Sequence, residues 1–236
     1  MAFTEADILW EDNHLLAVNK HAGQLVQVDT TGDSSLEDEV KAFLKKRESK
    51  PGNVFLGVTH RIDRPVSGVV LFAKTSKALT RINEMFREGT VKKTYWAIVK
   101  NKPEEESATL EHYLVRDTAK NRTMALTKPR ADAKVASLSY TILARSVNYF
   151  LLEIDLHTGR HHQIRAQLAK IGCPIKGDLK YGFARSNPDG GICLHSREIS
   201  IEHPVKNELV VIVAPTPKDV LWIDFVNSLG GKSNKR

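Results

Sequence analysis

The sequence has few cysteines and no long apolar run, and each absence excludes a class of protein. Its two cysteines, Cys173 and Cys193, are too far apart for a disulfide framework or a CxxC metal site, so we expect reduced thiols. No segment approaches the roughly 18 apolar residues of a membrane helix. Residues 1–7 lack the basic and apolar regions of a secretion signal. We therefore expect a cytoplasmic protein without a membrane segment.

Motifs that hold cofactors, metals or activated serines are also missing. No GxGxxG follows a strand pattern and no GxxxxGK[ST] occurs, so the usual cradles for nucleotides are absent. His157 and His161 are four residues apart, but Gly159 and the loop around it argue against a shared helical face, and there is no HExxH. Ser67 lies in no GxSxG elbow. We expect chemistry that needs no cofactor and no metal.

Composition indicates a globular protein with a basic surface. The chain has 236 residues, of which 41% are hydrophobic, and its formal net charge is +7. Such a surface attracts polyanions, and phosphate backbones above all, in a salt-dependent way. Net charge alone does not exclude an ordinary basic protein with no nucleic-acid partner.

Periodicity predicts a mixed α/β fold, with most strands antiparallel. We expect one domain over residues 1–229 and a basic, flexible tail over residues 230–236. Helices are predicted after Ser34 or Ser35, after Thr75 or Ser76 with Gly89 at its end, after the loop 157–160 and at Thr216-Pro217. Two of the predicted strands are Ile192–His195 and Glu198–Glu202. Asn101–Ser107 is the expected hinge between two β-rich lobes that share a sheet, with a cleft between them.

The stretch His60–Gly68 carries one carboxylate among three basic side chains. Asp63 is flanked by His60, Arg61 and Arg64, and nearby cations favour its ionised form at neutral pH. A fixed, charged carboxylate suits a nucleophile or an electrostatic stabiliser better than a general acid. An exposed turn with solvated ion pairs explains the same pattern equally well.

A second polar cluster, residues 158–165, precedes and opens a predicted helix. Helix N-termini favour anions, and Gln163 offers both a donor and an acceptor to a base edge. Arg165 follows the first apolar position of that helix, so its cation should lie near the core and need a carboxylate partner. Asp63 is the expected partner.

Several motifs in a shared order resemble those of RluA-type pseudouridine synthases. They are Asn19-Lys20 with Gly23, His60-Arg61-Ile62-Asp63 with Ser67-Gly68, Lys93–Ala97, Thr158-Gly159-Arg160 with His162–Arg165, Gly177-Asp178 with Tyr181-Gly182, Leu194-His195-Ser196 and His203-Pro204. The resemblance covers residues 8 to 215. It implies a pseudouridine synthase-like domain with a mixed, largely antiparallel sheet, flanking helices and a central cleft. It also implies isomerisation of a uridine in structured RNA, ribosomal or transfer, to pseudouridine.

The resemblance further implies roles for individual residues. Asp63 matches the catalytic aspartate, Tyr95 the active-site tyrosine and Arg165 the arginine that pairs with the aspartate. The expected contacts with RNA or substrate are made by Lys20, His60, Arg61, Arg64, Arg160, His162 and Gln163. Arg64 in particular is expected to help hold a flipped-out base.

The sequence departs from the family pattern at His21, Ile62, Val66 and Gln167, where proline, leucine, threonine and histidine are usual. The pattern begins near residue 8, so we expect a member without an N-terminal S4 domain, and a monomer. Two alternatives stay open. One is a non-catalytic RNA-binding protein that retains the fold, and the other is a glycosidase-like enzyme acting on free nucleosides, which would call for two paired carboxylates.

Overall fold

The computed structural model describes residues 3–29, 32–49 and 51–230 as two compact units. Unit 1 comprises residues up to Lys92 together with Ser196–Pro215, and unit 2 comprises Lys93–His195 and the residues from Thr216 onward. The predicted hinge at Asn101–Ser107 lies inside unit 2 and not at a boundary between the two units. The predicted tail falls almost wholly outside the described residues.

Unit 1 is built on antiparallel strands with two helices. β1 pairs with β2, β2 and β3 pair with β4, and β10 pairs with β11. The elements are β1 (Ile8–Glu11), β2 (Leu15–Lys20), α1 (Leu36–Arg47), β3 (Gly57–Val58), β4 (Ser67–Ala73), α2 (Ser76–Glu88), β10 (Leu194–Glu202, in this unit from Ser196) and β11 (Leu209–Val213).

The core of unit 1 lies between its strands and α2. Leu71 of β4, Ile82 of α2 and Ile199 of β10 are each wholly buried in one apolar cluster. Both helices begin as the sequence predicts, since the side chains of Ser35 and Thr75 accept backbone N–H bonds from the first turn. The core thus holds β4 rigidly, and β4 is the strand that follows the Asp63 loop.

Unit 2 contains an antiparallel sheet in the order β5-β9-β8-β6-β7, with two helices. α3 contacts β6 and β7, and α4 contacts β8. The elements are β5 (Lys92–Val99), β6 (Ser107–Asp117), β7 (Arg122–Leu126), β8 (Lys134–Arg145), β9 (Phe150–Leu156), α3 (Gln163–Lys170) and α4 (Val220–Gly230).

Two predicted elements differ from the structure. The strands expected at Ile192–His195 and Glu198–Glu202 form the single strand β10. α4 begins at Val220 rather than at Pro217, because the Asp219 carboxylate accepts the Leu221 N–H at 3.0 Å and caps the helix three residues later than Thr216 would. Its buried side chains are consequently Trp222 and Phe225.

Gly68 marks the point where β4 leaves the Asp63 loop, and only glycine fits there. Its φ is +112°, and an added Cβ would lie 2.2 Å from the backbone oxygen of Ser196. Gly89, which ends α2 with a φ of +75°, has open space around the same position. A side chain at either glycine would strain the backbone, but only at Gly68 would it also clash with a neighbouring atom.

We predict that Gly68→Ala lowers the free energy of unfolding by roughly 3 kcal/mol or more, because positive-φ strain and a clash with immobile backbone add together. Gly89→Ala, the matched control, should cost about 1–2 kcal/mol from backbone conformation alone. Urea denaturation of both variants measures the difference. Equal losses would show that the close approach to Ser196 is not a constraint.

Candidate active site

Asp63 lies in the loop between β3 and β4, and buried neighbours anchor that loop. Ile62 and Val66 are 8% and 2% exposed, whereas Asp63 between them is partly exposed. The Val66 N–H donates to the Asp63 carbonyl oxygen at 2.9 Å and closes a turn. The apolar anchors and the turn present the carboxylate-bearing residue at a defined place.

Lys20, at the end of β2, is hydrogen-bonded to the backbone of this loop. Its side chain is wholly buried, and its Nζ donates to the carbonyl oxygens of His21, Arg64 and Val66 at 2.9, 3.1 and 2.7 Å. Burial lowers the pKa of Lys20 to about 7, against the opposing attraction of Asp63. Lys20 is expected from sequence to contact RNA, but its burial favours a role in positioning the loop instead.

The Gly23 turn clamps the loop from a second direction. Gly23 N–H donates to the Arg64 carbonyl oxygen at 2.8 Å, and Arg64 Nε donates back to the Gly23 oxygen at 3.0 Å. Arg64 also pairs with Asp33 at 2.7 Å, with both side chains about half exposed. A pair so exposed contributes at most about 1 kcal/mol, so Arg64 can exchange Asp33 for another anion.

His60 and Arg61, at the start of the loop, have different surroundings. His60 Nε2 accepts the Leu71 N–H at 3.1 Å, and its ring lies 5.1 Å from that of Phe86. Arg61 is exposed. His60 therefore ties the loop to β4, and Arg61 extends from it.

Tyr95 occupies the middle of β5 in unit 2. It lies opposite Ile154 of β9 and is 7% exposed. The strand pairing fixes its backbone, and burial leaves its ring little room to move.

Arg165 forms a buried bidentate ion pair with Asp178. Nε and a terminal nitrogen lie 2.7 and 2.9 Å from the two carboxylate oxygens, and the side chains are 5% and 1% exposed. The guanidinium also lies 5.0 Å from the ring centroid of Tyr181. A carboxylate near Arg165 is expected from sequence, and Asp178 supplies one that was not predicted. The position of Asp178 in the Gly177–Gly182 motif could have indicated it. The expected pairing of Arg165 with Asp63 stays a prediction.

His162 adopts a left-handed conformation, with a φ of +51°, immediately before α3. The hydroxyl of Tyr181 accepts the Thr123 N–H at 2.8 Å and lies at hydrogen-bond distance, 3.0 Å, from His162 Nδ1. Burial, and after it the nearby Arg165 cation, lower the pKa of His162 to about 2. His162 is therefore neutral and buried at neutral pH.

The side-chain amide of Gln163 forms hydrogen bonds within the protein, mainly to the loop that precedes α3. Its Oε1 accepts bonds from Thr158 Oγ1 and from the Arg160 N–H at 2.8 and 3.0 Å, and its Nε2 donates to the Ser137 oxygen at 3.1 Å. The expectation that this amide reads a base edge is not supported by these bonds. The Arg160 side chain is exposed and reaches the Val135 oxygen at 3.4 Å.

No group of three His, Cys, Asp or Glu side chains among the described residues is arranged to hold a metal ion. His157 contacts Ser137 and Ser139, while His161 contacts Thr123 and stacks on His162. In the described ranges, no helix is both long and apolar enough to cross a membrane.

Comparisons with known proteins agree on one family. A family model described as RNA pseudouridylate synthase matches residues 14–170. The ribosomal large subunit pseudouridine synthase C of Vibrio parahaemolyticus is 33% identical, and the alignment covers 91% of this chain and 67% of that protein. The tRNA pseudouridine synthase C of the same organism is 32% identical, and the alignment covers 91% of this chain and 92% of that protein.

The fold also matches a solved structure. Human RNA pseudouridylate synthase domain containing 4 superimposes with a TM-score of 0.77 over 95% of this chain and 93% of that one, at 23% identity. This chain spans 65% to 71% of the length of three further bacterial relatives.

The chain belongs to the RNA pseudouridylate synthase family. It is thus an isomerase that acts on RNA, and both the resemblance and the mixed α/β fold class predicted from sequence are confirmed.

We predict that Lys20→Met lowers the free energy of unfolding by roughly 2–4 kcal/mol, because buried carbonyl oxygens lose their shared donor. Lys45→Met, at an exposed position of α1, should stay within about 0.5 kcal/mol of the parent. Urea denaturation compares the two variants. A Lys20→Met protein as stable as the control would contradict the positioning role.

His162 should make stability fall in mild acid. Its folded pKa lies below that of the unfolded chain, so below pH 6.5 the unfolded state binds a proton that the folded state does not. Between pH 6.5 and 5 the protein should lose roughly 1–2 kcal/mol relative to His162→Asn, since asparagine tolerates the left-handed conformation and does not titrate. Parallel pH profiles that superimpose would disprove this assignment.

Proposed function

We propose that this protein converts specific uridines in ribosomal or transfer RNA to pseudouridine, with Asp63 as the catalytic carboxylate. The N1–C1′ bond breaks, the base turns while it remains bound, and C5 then bonds to C1′. The proton on C5 is lost and N1 gains one, so the reaction is redox-neutral and consumes no second substrate. Attack by Asp63 on C1′, attack on C6 and a glycal route are all compatible with this assignment.

The proposal is supported above all by two sets of hydrogen bonds that hold the Asp63 loop, one from Lys20 and one from Gly23. Lys20 bonds the carbonyl oxygens of Arg64 and Val66 from below, and Gly23 exchanges two bonds with Arg64. Positioning a reacting group in advance avoids an entropic cost during reaction. A solvated turn with no function would not need a buried ammonium beneath it.

Tyr95 and Arg165 are proposed to serve the same reaction. Tyr95 would pack on the base and help to move the proton lost from C5. Arg165 would keep the catalytic carboxylate ionised. Its bidentate pair with Asp178 supports a precise orientation of the guanidinium, because a fork held at two nitrogens has little freedom to rotate.

The RNA would be held by exposed cations and presented as an unpaired loop. Arg61, Arg64 and Arg160 are exposed and suit phosphate contacts. The target uridine must leave its stack to reach a carboxylate, which costs least in single-stranded loops. The named relatives act on ribosomal RNA and on transfer RNA, so both are candidates. We propose a cytoplasmic monomer.

A non-catalytic RNA-binding role is the alternative. It would retain the fold and the basic surface but would not depend on Asp63. A nucleoside glycosidase is less well supported, since it would call for two paired carboxylates and only Asp63 stands out in the sequence.

The decisive experiment maps pseudouridine in cellular RNA from cells with the protein, without it and with Asp63→Asn. We expect at least one site to disappear in both deficient strains, with conversion by Asp63→Asn reduced at least about 100-fold because no other side chain replaces the carboxylate. Asp224→Asn, at an exposed position of α4, is the matched control and should leave every site intact.

The mapped site would also identify the RNA. Full modification in the Asp63→Asn strain would disprove the catalytic assignment, and an unchanged map in the deletion strain would disprove the synthase proposal.

A further inference from the structure

A pocket of unit 1 lies beside the Asp63 loop and is not used by the chemistry described above. We call it the Phe55 pocket, and its volume is about 550 Å³. This volume is in the range of sites that bind small organic ligands and accommodates one nucleotide. The lining residues that matter for its chemistry are Gln27, Glu37, Phe55, Leu56, Arg61 and Leu79.

The aromatic side chain in this pocket is exposed. Phe55 has 48% of its surface accessible, although a phenylalanine ring gains most from burial. Base stacking on an aromatic ring is the contact by which proteins hold unpaired nucleotides without pairing them. Leu79 and Leu56 add an apolar floor, which suits the face of a base.

The pocket also carries a cation next to the catalytic loop. Arg61 lines it, is exposed and precedes Asp63 by two residues. Two residues of extended chain span at most about 7 Å, so a nucleotide that contacts Arg61 must be a near neighbour of the one at Asp63. The pocket is therefore placed for a base that flanks the target uridine in the same strand.

Two polar side chains that line the pocket differ in the hydrogen bonds they can form with a base. Glu37 lines it with a carboxylate that is 15% exposed and is held by Lys41 at 2.5 Å. A carboxylate accepts hydrogen bonds from exocyclic amino groups and repels the carbonyl oxygens of uracil. Gln27, which is exposed at the rim, can donate or accept.

We infer that the Phe55 pocket binds an unpaired nucleotide flanking the target uridine, that its base stacks on Phe55, and that Glu37 makes a base with an exocyclic amino group preferred over uracil. This inference rests on the proposed function, because it assigns part of the RNA specificity of the same reaction. Arg61 contacts the phosphate of that nucleotide.

The test uses the full chain and a short synthetic stem-loop centred on the uridine mapped in cells. Each neighbouring position is changed in turn to A, C, G and U, and kcat and KM for conversion are measured. We expect one flanking position at which U raises KM at least about 5-fold over the best base. Phe55→Ala should raise KM by about 5- to 100-fold with kcat nearly unchanged, and Phe55→Trp should restore binding.

The variant Glu37→Gln tests whether the Glu37 carboxylate causes the discrimination against U at the flanking position. A neutral amide can donate to the O4 atom of uracil, so this variant should lose most of the discrimination against U at that position while retaining activity on the best substrate. Leu209→Ala and Arg87→Ala remove an exposed apolar and an exposed basic side chain of unit 1 outside the pocket, and they should leave both constants unchanged.

The outcomes separate the two proposals. Wild-type conversion that is insensitive to flanking bases and to Phe55→Ala would overturn the pocket assignment and leave the synthase function standing. Equal effects of Phe55→Ala and Leu209→Ala would overturn it as well. If the wild-type chain converts no uridine in any cellular RNA, the proposed function fails, and the pocket assignment fails with it.

Discussion

The site of unit 1 depends on one buried ammonium group. Lys20 is wholly enclosed, and its Nζ donates to the carbonyl oxygens of Arg64 and Val66, which follow Asp63 in its loop, and to that of His21. Burying a cation is costly unless polar groups replace its water, and here backbone carbonyls do so. The same bonds that make the burial tolerable also fix the path of the loop, so the stability of the core and the placement of the carboxylate are coupled.

Unit 2 contains a comparable arrangement around Arg165. Asp178 holds the guanidinium at two nitrogens, Tyr181 covers it, and the Tyr181 hydroxyl in turn bonds His162 and Thr123. Each member restricts the next, because a buried polar group without its partner would pay the full cost of desolvation. In each unit a buried cation, rather than apolar packing alone, fixes the polar groups that surround it.

Much of the local structure could be predicted from sequence, for reasons that are local. Ser35 and Thr75 cap their helices and Gly89 ends one, because caps need only a short polar side chain or a residue that tolerates positive φ. The last helix was placed too early, since Thr216-Pro217 and Asp219 offer competing starts and the backbone bond to the Asp219 carboxylate prevails. The continuous strand β10 was divided in the prediction because Ser196 and Arg197 interrupt its apolar pattern.

The family, the loop that bears Asp63 and the need of Arg165 for a carboxylate follow from residue types in a fixed order, and they could be inferred from sequence. Which groups surround these residues depends on the folded structure. It buried Lys20, which sequence reasoning treated as a surface cation, and it brought Asp178 to Arg165 across 13 positions of the chain. It also directed the amide of Gln163 inward and formed a pocket around Phe55. Burial and partner choice depend on which segments pack together, and that information is distributed over the whole fold.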